Sequence, residues 1–295
     1  MGEFMIFGDS TCDLEKAVRE QYGIDYVPMH YIIDDTEYVA SLEWESHSAK
    51  AFYDLLRSGK RAFTTQVPKN VYAEAFRAAL ENGRDVLYIS CSSALSGSVN
   101  TARVVAQELQ QEFPNNAVCC VDSLISSLGQ GHLLIEAAKK RAEGMDAAAT
   151  AAYIERIRLR VNQCGTVESM EYLRRAGRIK ASKAFFGNLF GIKPLIISDV
   201  KGQNYACKKV KGAAAARVAM AQMLADNADG NDDTLYISHA DNLSGAELLR
   251  DEVLKLVPFR NVMISTIAPI VGASVGPGTV IGFCYGKEVT IEGNE

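Results

Sequence analysis

Short apolar runs alternate with longer amphipathic segments along the first 160 residues of the chain. Runs of the first kind are typical of buried parallel strands, and the longer segments are typical of the helices that cover such strands. The pattern predicts strands at 4–7, 26–33, 85–90 and 117–121, helices at 14–22, 48–58, 71–81, 101–113 and 133–140, and a loop at 60–68.

The pattern changes after about residue 160, where glycine-punctuated and alanine-rich segments become frequent. It predicts helices at 166–179, 213–228 and 246–256, a strand pair at 194–200 and 205–211, strands at 235–238, 262–268 and 280–285, and a glycine-rich turn at 272–278. We therefore expect an α/β protein of two domains. Residues 1–160 form a parallel-sheet, Rossmann-like domain, residues 161–295 form a second α/β domain, and a ligand cleft lies between them.

Three predicted strands of the first domain end in small polar residues, at Asp9-Ser10, at 90–98 and at Asp122-Ser123. The carboxyl ends of parallel strands meet at one edge of a sheet, and ligands of such folds bind at that edge. Residues 90–100 add several serine hydroxyls, a glycine and a helix start. A helix N-terminus offers unpaired amides to an anion. The alternative is that Ser96 or Ser98 only caps the helix.

Composition and net charge argue against some classes of function. The chain is 48% apolar and 23% charged, as in ordinary globular proteins, and its net charge is −5. This charge argues against broad binding to nucleic acid or to anionic membranes. No apolar run reaches the roughly 18 residues of a spanning helix, and the first residues do not resemble a signal peptide. We therefore expect a cytoplasmic protein without an integral membrane segment.

Candidate chemical groups occur elsewhere with weaker patterns. The seven cysteines are scattered, so we expect reduced core thiols and no metal site. Residues 272–276 match G-x-S-x-G, but all four histidines precede Ser274, whereas a hydrolase of that type needs a later histidine. Thr64 and Thr65 fit two interpretations, either as ordinary turn residues or as hydrogen-bond donors to a ligand. The basic cluster 174–178 is a solvated helix end or a positive rim of the cleft, with Arg175 as a candidate rim residue.

Several motifs occur together in one order along the chain, and together they resemble the DegV family of bacterial proteins. The motifs are F-x-D-S-x-x-D-L (7–14), T-T-Q-x-P (64–68), I-S-x-x-x-x-L-S-G-S-x-N (89–100), V-D-S (121–123), Y-L-x-R-x-G-R-I (172–179), G-x-K-P (191–194) and P-x-x-G-x-x-x-G-P-G (269–278). Each motif is weak alone, but the ordered set covers nearly the whole chain.

The resemblance implies a two-domain α/β protein that buries a long-chain fatty acid and presents its carboxylate to a separate, ATP-using catalytic subunit of a fatty acid kinase. It implies that Thr64 and Ser96 donate hydrogen bonds to the carboxylate and that Gly97 and Ser98 add backbone or hydroxyl donors. Ser274 stands where the family commonly has histidine, which affects phosphoryl transfer or head-group geometry. Thr65, Lys211 and Arg175 are further candidates near the head group.

Burying an acyl chain contributes roughly 0.8 kcal/mol per methylene, so a sixteen-carbon tail supplies on the order of 10 kcal/mol. Candidate residues for lining the acyl chain, or for the ordinary core, are Phe185, Phe186, Leu189, Phe190, Ile192, Leu195 and Ile197. The expected function is non-catalytic fatty acid binding without a further cofactor. The alternatives are an enzyme using the same cleft, either a serine hydrolase or a small-molecule phosphotransferase, and a lipid-sensing regulatory module.

Overall fold

The computed structural model describes residues 4–181, 185, 191–230 and 233–293. The elements of the first half are β1 (Phe4–Asp9), α1 (Lys16–Tyr22), β2 (Ile24–Val27), β3 (His30–Ile33), β4 (Thr36–Val39), α2 (Ala49–Arg57), β5 (Ala62–Thr65), α3 (Lys69–Glu81), β6 (Asp85–Ser90), α4 (Ser98–Glu112), β7 (Val118–Asp122), α5 (Leu128–Ala142) and α6 (Ala147–Ile157). The elements that follow are a 3₁₀ turn (Arg158–Arg160), β8 (Val161–Thr166), α7 (Met170–Ala176), β9 (Ile192–Ser198), β10 (Asn204–Lys211), α8 (Ala213–Asn227), β11 (Thr234–His239), α9 (Leu243–Leu254), β12 (Asn261–Thr266), α10 (Pro269–Val275) and β13 (Val280–Tyr285).

The strands form three sheets. The first is parallel, in the order β2-β1-β6-β7, and the second has six strands in the order β10-β9-β8-β13-β11-β12. In the second sheet the neighbours pair antiparallel, except for the parallel pair β11 and β12. A small antiparallel sheet has the order β4-β3-β5. The predicted α/β class, with a parallel sheet in the first half and a second α/β part, is confirmed.

The parallel sheet is covered by helices on both faces, as its sequence predicts. Five consecutive residues of β6, Val86 to Ser90, are buried, which is typical of a strand with no solvent-facing side. Tyr72 and Phe76 of α3 pack against Tyr88 of this strand, with ring centroids 5.2 Å and 6.0 Å from that of Tyr88. This packing fixes the position at which β6 ends and the polar loop begins.

The predicted single strand at 26–33 is wrong, because the chain leaves one sheet and joins another within it. Pro28 separates β2 from β3 and has no N–H to continue a ladder. The next amide, that of Met29, donates instead to Ser10 Oγ at 2.7 Å. The small sheet therefore begins within two residues of the parallel sheet.

Three further predictions need correction. Residues 60–68, predicted as a loop, contain β5, whose Thr64 lies opposite Tyr31 of β3. Residues 272–278, predicted as a glycine-rich turn, begin inside α10, which has Pro269 at its first turn. The predicted helix at 166–179 is shorter, because Thr166 ends β8 and the Ser169 side chain caps α7.

The final strand, β13, lies in the interior of the second sheet, between β8 and β11. Its residues alternate between the two faces of the sheet: Val280 packs with the cluster under α8 and α9, and Ile281 packs with the cluster toward the parallel sheet. A search of the described residues found no helix both long and apolar enough to cross a membrane.

Candidate functional site

The end of β1 is organised by the buried carboxylate of Asp9. Its Oδ1 accepts from the amide and the hydroxyl of Thr11, and its Oδ2 accepts from Tyr88 Oη at 2.9 Å and from the amide of Cys91 at 3.1 Å. Four donors satisfy a charge that would otherwise be costly to bury. Asp9 thereby joins the ends of β1 and β6 and fixes the start of residues 91–97, which we call the serine loop.

The serine loop ends in a hydroxyl pair at the N-terminus of α4. Ser96 Oγ and Ser98 Oγ are 2.9 Å apart, and the amide of Ser98 donates to Ser96 Oγ at 3.3 Å. Ser98 is fully buried, whereas Ser96 is partly exposed. The sequence left open whether these serines cap the helix or face a ligand. Ser96 does the first, because it stabilises the start of α4, and it is also placed for the second, because it faces open space.

Gly97 lies in close contact with the side chain of Gln66. A Cβ at position 97 would lie 2.5 Å from Gln66 Oε1. The Gln66 side chain is itself held, because its Nε2 donates to Thr101 Oγ1 at 3.0 Å. Gln66 follows Thr64 and Thr65 directly, so this contact brings the end of β5 against the start of α4.

Helix α10 supplies the opposite wall, and it is placed by a conformation that favours glycine. Gly276 ends the helix with φ 75° and ψ 169°, and a Cβ there would lie 2.3 Å from the Tyr172 ring. Among the described residues, the Ser274 hydroxyl has a single hydrogen-bond contact, with the Ile270 carbonyl at 3.5 Å. It therefore keeps most of its hydrogen-bonding capacity for a ligand.

These elements enclose a cavity of about 200 Å³ between the two large sheets. Its lining residues are Thr11, Met29, Thr64, Thr65, Gln66, Cys91, Leu95, Ser96, Gly97, Ser126, Gln163, Gly165, Thr166, Val167, Leu173, Arg178, Ile196, Asn204, Ile270, Val271, Ser274, Val275, Thr279 and Ile281. The structure thus brings together Thr64, Thr65, Ser96, Gly97 and Ser274, which the sequence analysis selected separately. Ser98 lies behind Ser96.

A groove adjoins the cavity and shares Thr64, Arg178 and Ser274 with it. The groove also contains Lys60, Arg61 and Arg175, so its charge is positive. Arg175 donates to Glu171 at 2.6 Å and lines the groove rather than the cavity. We call the shared residues Thr64, Arg178 and Ser274 the mouth of the cavity.

Arg178 is the cationic side chain in the lining of the cavity. Its Nε donates to the Leu95 carbonyl at 2.9 Å, across from the second half of the chain to the serine loop. Burial raises the pKa of the Cys91 thiol well above its ordinary value, so this part of the wall is neutral. The cavity therefore combines neutral hydroxyl donors with one positive charge at its mouth.

Strand alternation explains why two predicted lining residues lie elsewhere. Ile196 of β9 faces the cavity, so its neighbours Leu195 and Ile197 point to the other face, where Leu195 packs in the cluster under α8. Ile192 and Lys211 pair with each other at the far ends of β9 and β10 and do not line the cavity.

The remaining predicted lining residues fall in or beside a segment that the structure describes only in part. Phe186, Leu189 and Phe190 lie outside the described residues. Phe185 is partly buried against the larger core cluster, and Lys209 Nζ lies 5.0 Å from the centroid of its ring.

The sequence analysis missed nine polar or reactive residues of the cavity wall: Thr11, Gln66, Cys91, Ser126, Gln163, Thr166, Arg178, Asn204 and Thr279. Arg178 was within a quoted motif, but its neighbour Arg175 was chosen instead. Gln163 and Asn204 carry no local signal, because they meet only when β8 and β10 lie in one sheet, where Gln163 Nε2 donates to Asn204 Oδ1 at 3.3 Å. In the described part of the chain, no cluster of three or more His, Cys, Asp or Glu suits a metal ion.

The fold and the site together define an α/β protein with a hydroxyl-rich cavity between its two large sheets. The family model for DegV, described as an uncharacterised protein family, matches residues 3–288. The chain therefore belongs to the DegV family.

Similar proteins cover almost the full length of the chain. A DegV domain-containing protein of Clostridium perfringens is 32% identical over 287 residues, which is 97% of this chain and 98% of the relative. One from Streptococcus pyogenes is 29% identical over 285 residues, covering 96% and 98%.

Solved structures also match over almost the full length of the chain. A DegV family protein from Thermus thermophilus, described with its fatty acid binding, superposes with a TM-score of 0.85 at 27% identity, covering 97% of this chain and 100% of that one. DegV of Bacillus subtilis, described as a fatty acid binding protein, gives 0.82 at 23% identity over 97% and 100%, which supports the fold alone.

Proposed function

We propose that this chain binds a long-chain fatty acid, with the carboxylate at the mouth and the acyl chain along the apolar wall. The observation that carries the proposal is the cavity itself, in which hydroxyls of three separate chain segments line the same space. The similarity to the Thermus thermophilus protein, at 27% identity over 97% of the chain, supports it.

The head group would be held mainly by neutral donors. The hydroxyls of Thr64, Ser96 and Ser274 line the cavity, and the amide of Gly97 has no hydrogen-bond partner among the described residues. A carboxylate accepts such bonds strongly, because one partner is charged. Arg178 adds a positive charge close by. Ser98 supports Ser96 from behind by their shared hydrogen bond.

The acyl chain would be bound by burial. Aliphatic residues from both halves of the chain line the cavity: Met29, Leu95, Val167, Leu173, Ile196, Ile270, Val271, Val275 and Ile281. Each methylene removed from water contributes roughly 0.8 kcal/mol. Most of the affinity would therefore come from the tail, and the head group would fix its orientation.

Substitution of Ser96 tests the carboxylate site. Ser96→Ala removes one donor to a charged group, which is worth about 1.5–3 kcal/mol, so the dissociation constant for palmitate should rise by about 10- to 100-fold. The measurement is fluorescence or calorimetric titration with delipidated protein, with thermal melting to show an unchanged fold. Ser93→Ala is the matched control, because Ser93 is exposed in the same loop and does not line the cavity. Equal affinities of the two variants would contradict the assignment.

We also propose that the bound carboxylate is presented to a separate fatty acid kinase catalytic subunit. The basic groove beside the mouth supports this, because it leaves a positive surface next to the carboxylate. Acyl phosphate should form from ATP and the loaded protein only when a bacterial fatty acid kinase catalytic subunit is added. ATP consumption by the isolated chain would favour the phosphotransferase alternative instead.

The serine hydrolase alternative has no support at Ser274. Its hydroxyl contacts the carbonyl of its own helix, and none of the lining residues is histidine. A nucleophilic serine needs an adjacent base.

A further inference from the structure

A second cavity, of about 110 Å³, lies on the other face of the six-stranded sheet, beneath the first turns of α8 and α9. Its lining residues are Thr166, Val167, Glu168, Lys193, Ala213, Arg217, Met220, Asn242, Gly245, Leu249, Gly278 and Val280. Thr166 and Val167 also line the first cavity, so the β8–α7 connection separates the two spaces.

Arg217 is the feature of this cavity that needs explanation. Its Nε is buried and has no hydrogen-bond partner, and its guanidinium forms no ion pair with the described residues. Among buried polar atoms such cases are few, and an arginine has five donors and no acceptor. Arg217 as a whole is partly exposed, but its buried Nε–H is a donor for which the described residues supply no acceptor.

The other polar groups of the cavity are mostly committed elsewhere. Asn242 uses both ends of its amide, since Oδ1 accepts from the amide of Gly245 at 3.1 Å and Nδ2 donates to the Gly278 carbonyl at 2.9 Å. Thr166 Oγ1 donates to the Pro194 carbonyl at 2.8 Å. These bonds position the walls and leave little capacity for binding a ligand.

The hydrogen-bonding groups of this cavity that remain available to a ligand are mainly donors. Lys193 Nζ is 3.5 Å from a carboxylate oxygen of Glu168, whose side chain is 67% exposed and also lines the cavity. The amide of Ala213, in the first turn of α8, has no partner among the described residues, and Gly212 offers no side chain to cap it. Two cationic side chains and a free helix amide therefore face one small space.

We propose that this cavity binds a phosphate group, either as inorganic phosphate or as the phosphate of a small monoester. The planar guanidinium of Arg217 donates in parallel to two oxygens of such an anion, and Lys193 and the Ala213 amide take the others. The cavity has roughly half the volume of the first one, about 110 Å³ against about 200 Å³, which suits a small anion.

Titration with inorganic phosphate tests the site in the full chain, at constant ionic strength set by chloride. We expect one binding site per chain and a shift of the ¹⁵N-detected Arg217 Nε–H resonance on saturation. Arg217→Met should weaken phosphate binding at least tenfold, and Arg217→Lys should lose less than Arg217→Met. A second titration with glycerol phosphate separates the two sources, because a monoester that binds more tightly than free phosphate identifies the monoester as the ligand.

Arg250→Met is the matched control, because it makes the same change on α9 at a residue that pairs with Asp251 and does not line the cavity. It should bind phosphate like the wild type. Equal weakening in Arg250→Met and Arg217→Met would show a general charge effect and overturn the proposal, as would the absence of saturable binding. Palmitate affinity measured in the same samples shows that each variant is folded, and it reports on the first cavity separately.

Discussion

Asp13 is a buried carboxyl where the two halves of the chain meet. Its Oδ2 accepts from Ser127 Oγ at 2.5 Å, and its Oδ1 accepts from the amide of Ala268, which precedes α10, at 2.8 Å. Ser127 Oγ is also hydrogen-bonded to Ser238 of β11. One side chain thus connects the β1–α1 loop, the start of α5 and the helix that carries Ser274.

Burial raises the pKa of Asp13 from 3.8 to about 7, against the two hydrogen bonds, which lower it. The folded protein therefore binds this proton more tightly than the unfolded chain does between about pH 4 and pH 7. The contribution of protonated Asp13 to the free energy of unfolding is fully present below pH 4 and is lost as the pH rises toward 7. Asp9, which is close in space, acts in the same direction by repelling the negative form of Asp13.

Asp13→Asn should remove this dependence. The free energy of unfolding of the variant, relative to wild type, should increase by up to about 1.4 kcal/mol per pH unit between pH 4.5 and 6.5, and then level off. Urea unfolding at four pH values measures it. In the control Asp54→Asn the exposed carboxyl has a lowered pKa, so its difference from wild type should be flat over this range. A flat difference for Asp13→Asn as well would contradict the assignment.

At the residue scale, the hydroxyl-bearing residues of the cavity were predicted from the sequence better than its charged residues were. Thr64, Ser96 and Ser274 were selected because small polar residues cluster beyond apolar runs, and all three line one cavity. Arg175 and Arg178 are in the same basic cluster, and their roles separate only because Gly177 ends α7 with φ 65° and turns Arg178 toward Leu95. A backbone reversal of this kind is not visible in composition.

At the element scale, α10 depends on its C-terminal glycine. Gly276 adopts a φ/ψ combination found almost only at glycine, and a Cβ there would press on the ring of Tyr172. Tyr172 in turn donates to the Leu56 carbonyl at 3.0 Å. A change at position 276 therefore affects α10, α7 and the end of α2 together.

Gly276→Ala should lower the free energy of unfolding by about 2–4 kcal/mol, as backbone strain and overpacking combine. The control is Gly177→Ala, at a positive φ of 65° where a Cβ would meet no atom within 4 Å, so only backbone strain applies. Chemical denaturation of both variants compares the loss at position 276, where the glycine-only backbone region and the contact with Tyr172 act together, with the smaller cost of a Cβ in the left-handed helical region at position 177. Similar losses in the two variants would contradict a special requirement for glycine at position 276.

Elements with a strong hydrophobic periodicity were predicted closely, whereas elements that form only by pairing with another strand were not. The strand at 85–90 and the strand at 280–285 coincide with β6 and β13. In contrast, β5 is exposed and short, and it is a strand only because β3 pairs with it. Helix α6 was not predicted, although Asp146 caps it through the amide of Ala149 at 2.8 Å.

At the scale of the whole molecule, several hydrogen bonds join the halves of the chain. Tyr53 Oη donates to the Ile267 carbonyl at 2.6 Å, and Ser265 Oγ donates to the Asp13 carbonyl at 2.7 Å. A buried bond whose partner is lost costs about 1–3 kcal/mol, so separation of the halves is unfavourable. The cavity between them is therefore expected to persist without ligand.

Ligand binding should stabilise the molecule as one unit. Palmitate at 100 times its dissociation constant should add about 2.7 kcal/mol to the free energy of unfolding. Trp44, the single tryptophan, packs on Phe52 and Tyr53 and reports on the first half, whereas calorimetry reports on the whole chain. We expect both transitions to move upward together. A tryptophan transition that stays in place while the calorimetric one moves would show that the halves unfold separately.

The interior position of β13 has a consequence for synthesis. Its residues 280–285 follow both of their neighbours, β8 and β11, in the chain, so one edge of each neighbour stays unpaired until they are made. On the ribosome, residues 4–122 of the parallel sheet emerge early and can fold, because chains are made at about 5–20 residues per second. The second sheet keeps an unfilled position between β8 and β11 until residues 280–285 have been made. The cavity between the large sheets can therefore close only after β13 has been added, and until then the edges of β8 and β11 are open to incorrect pairing.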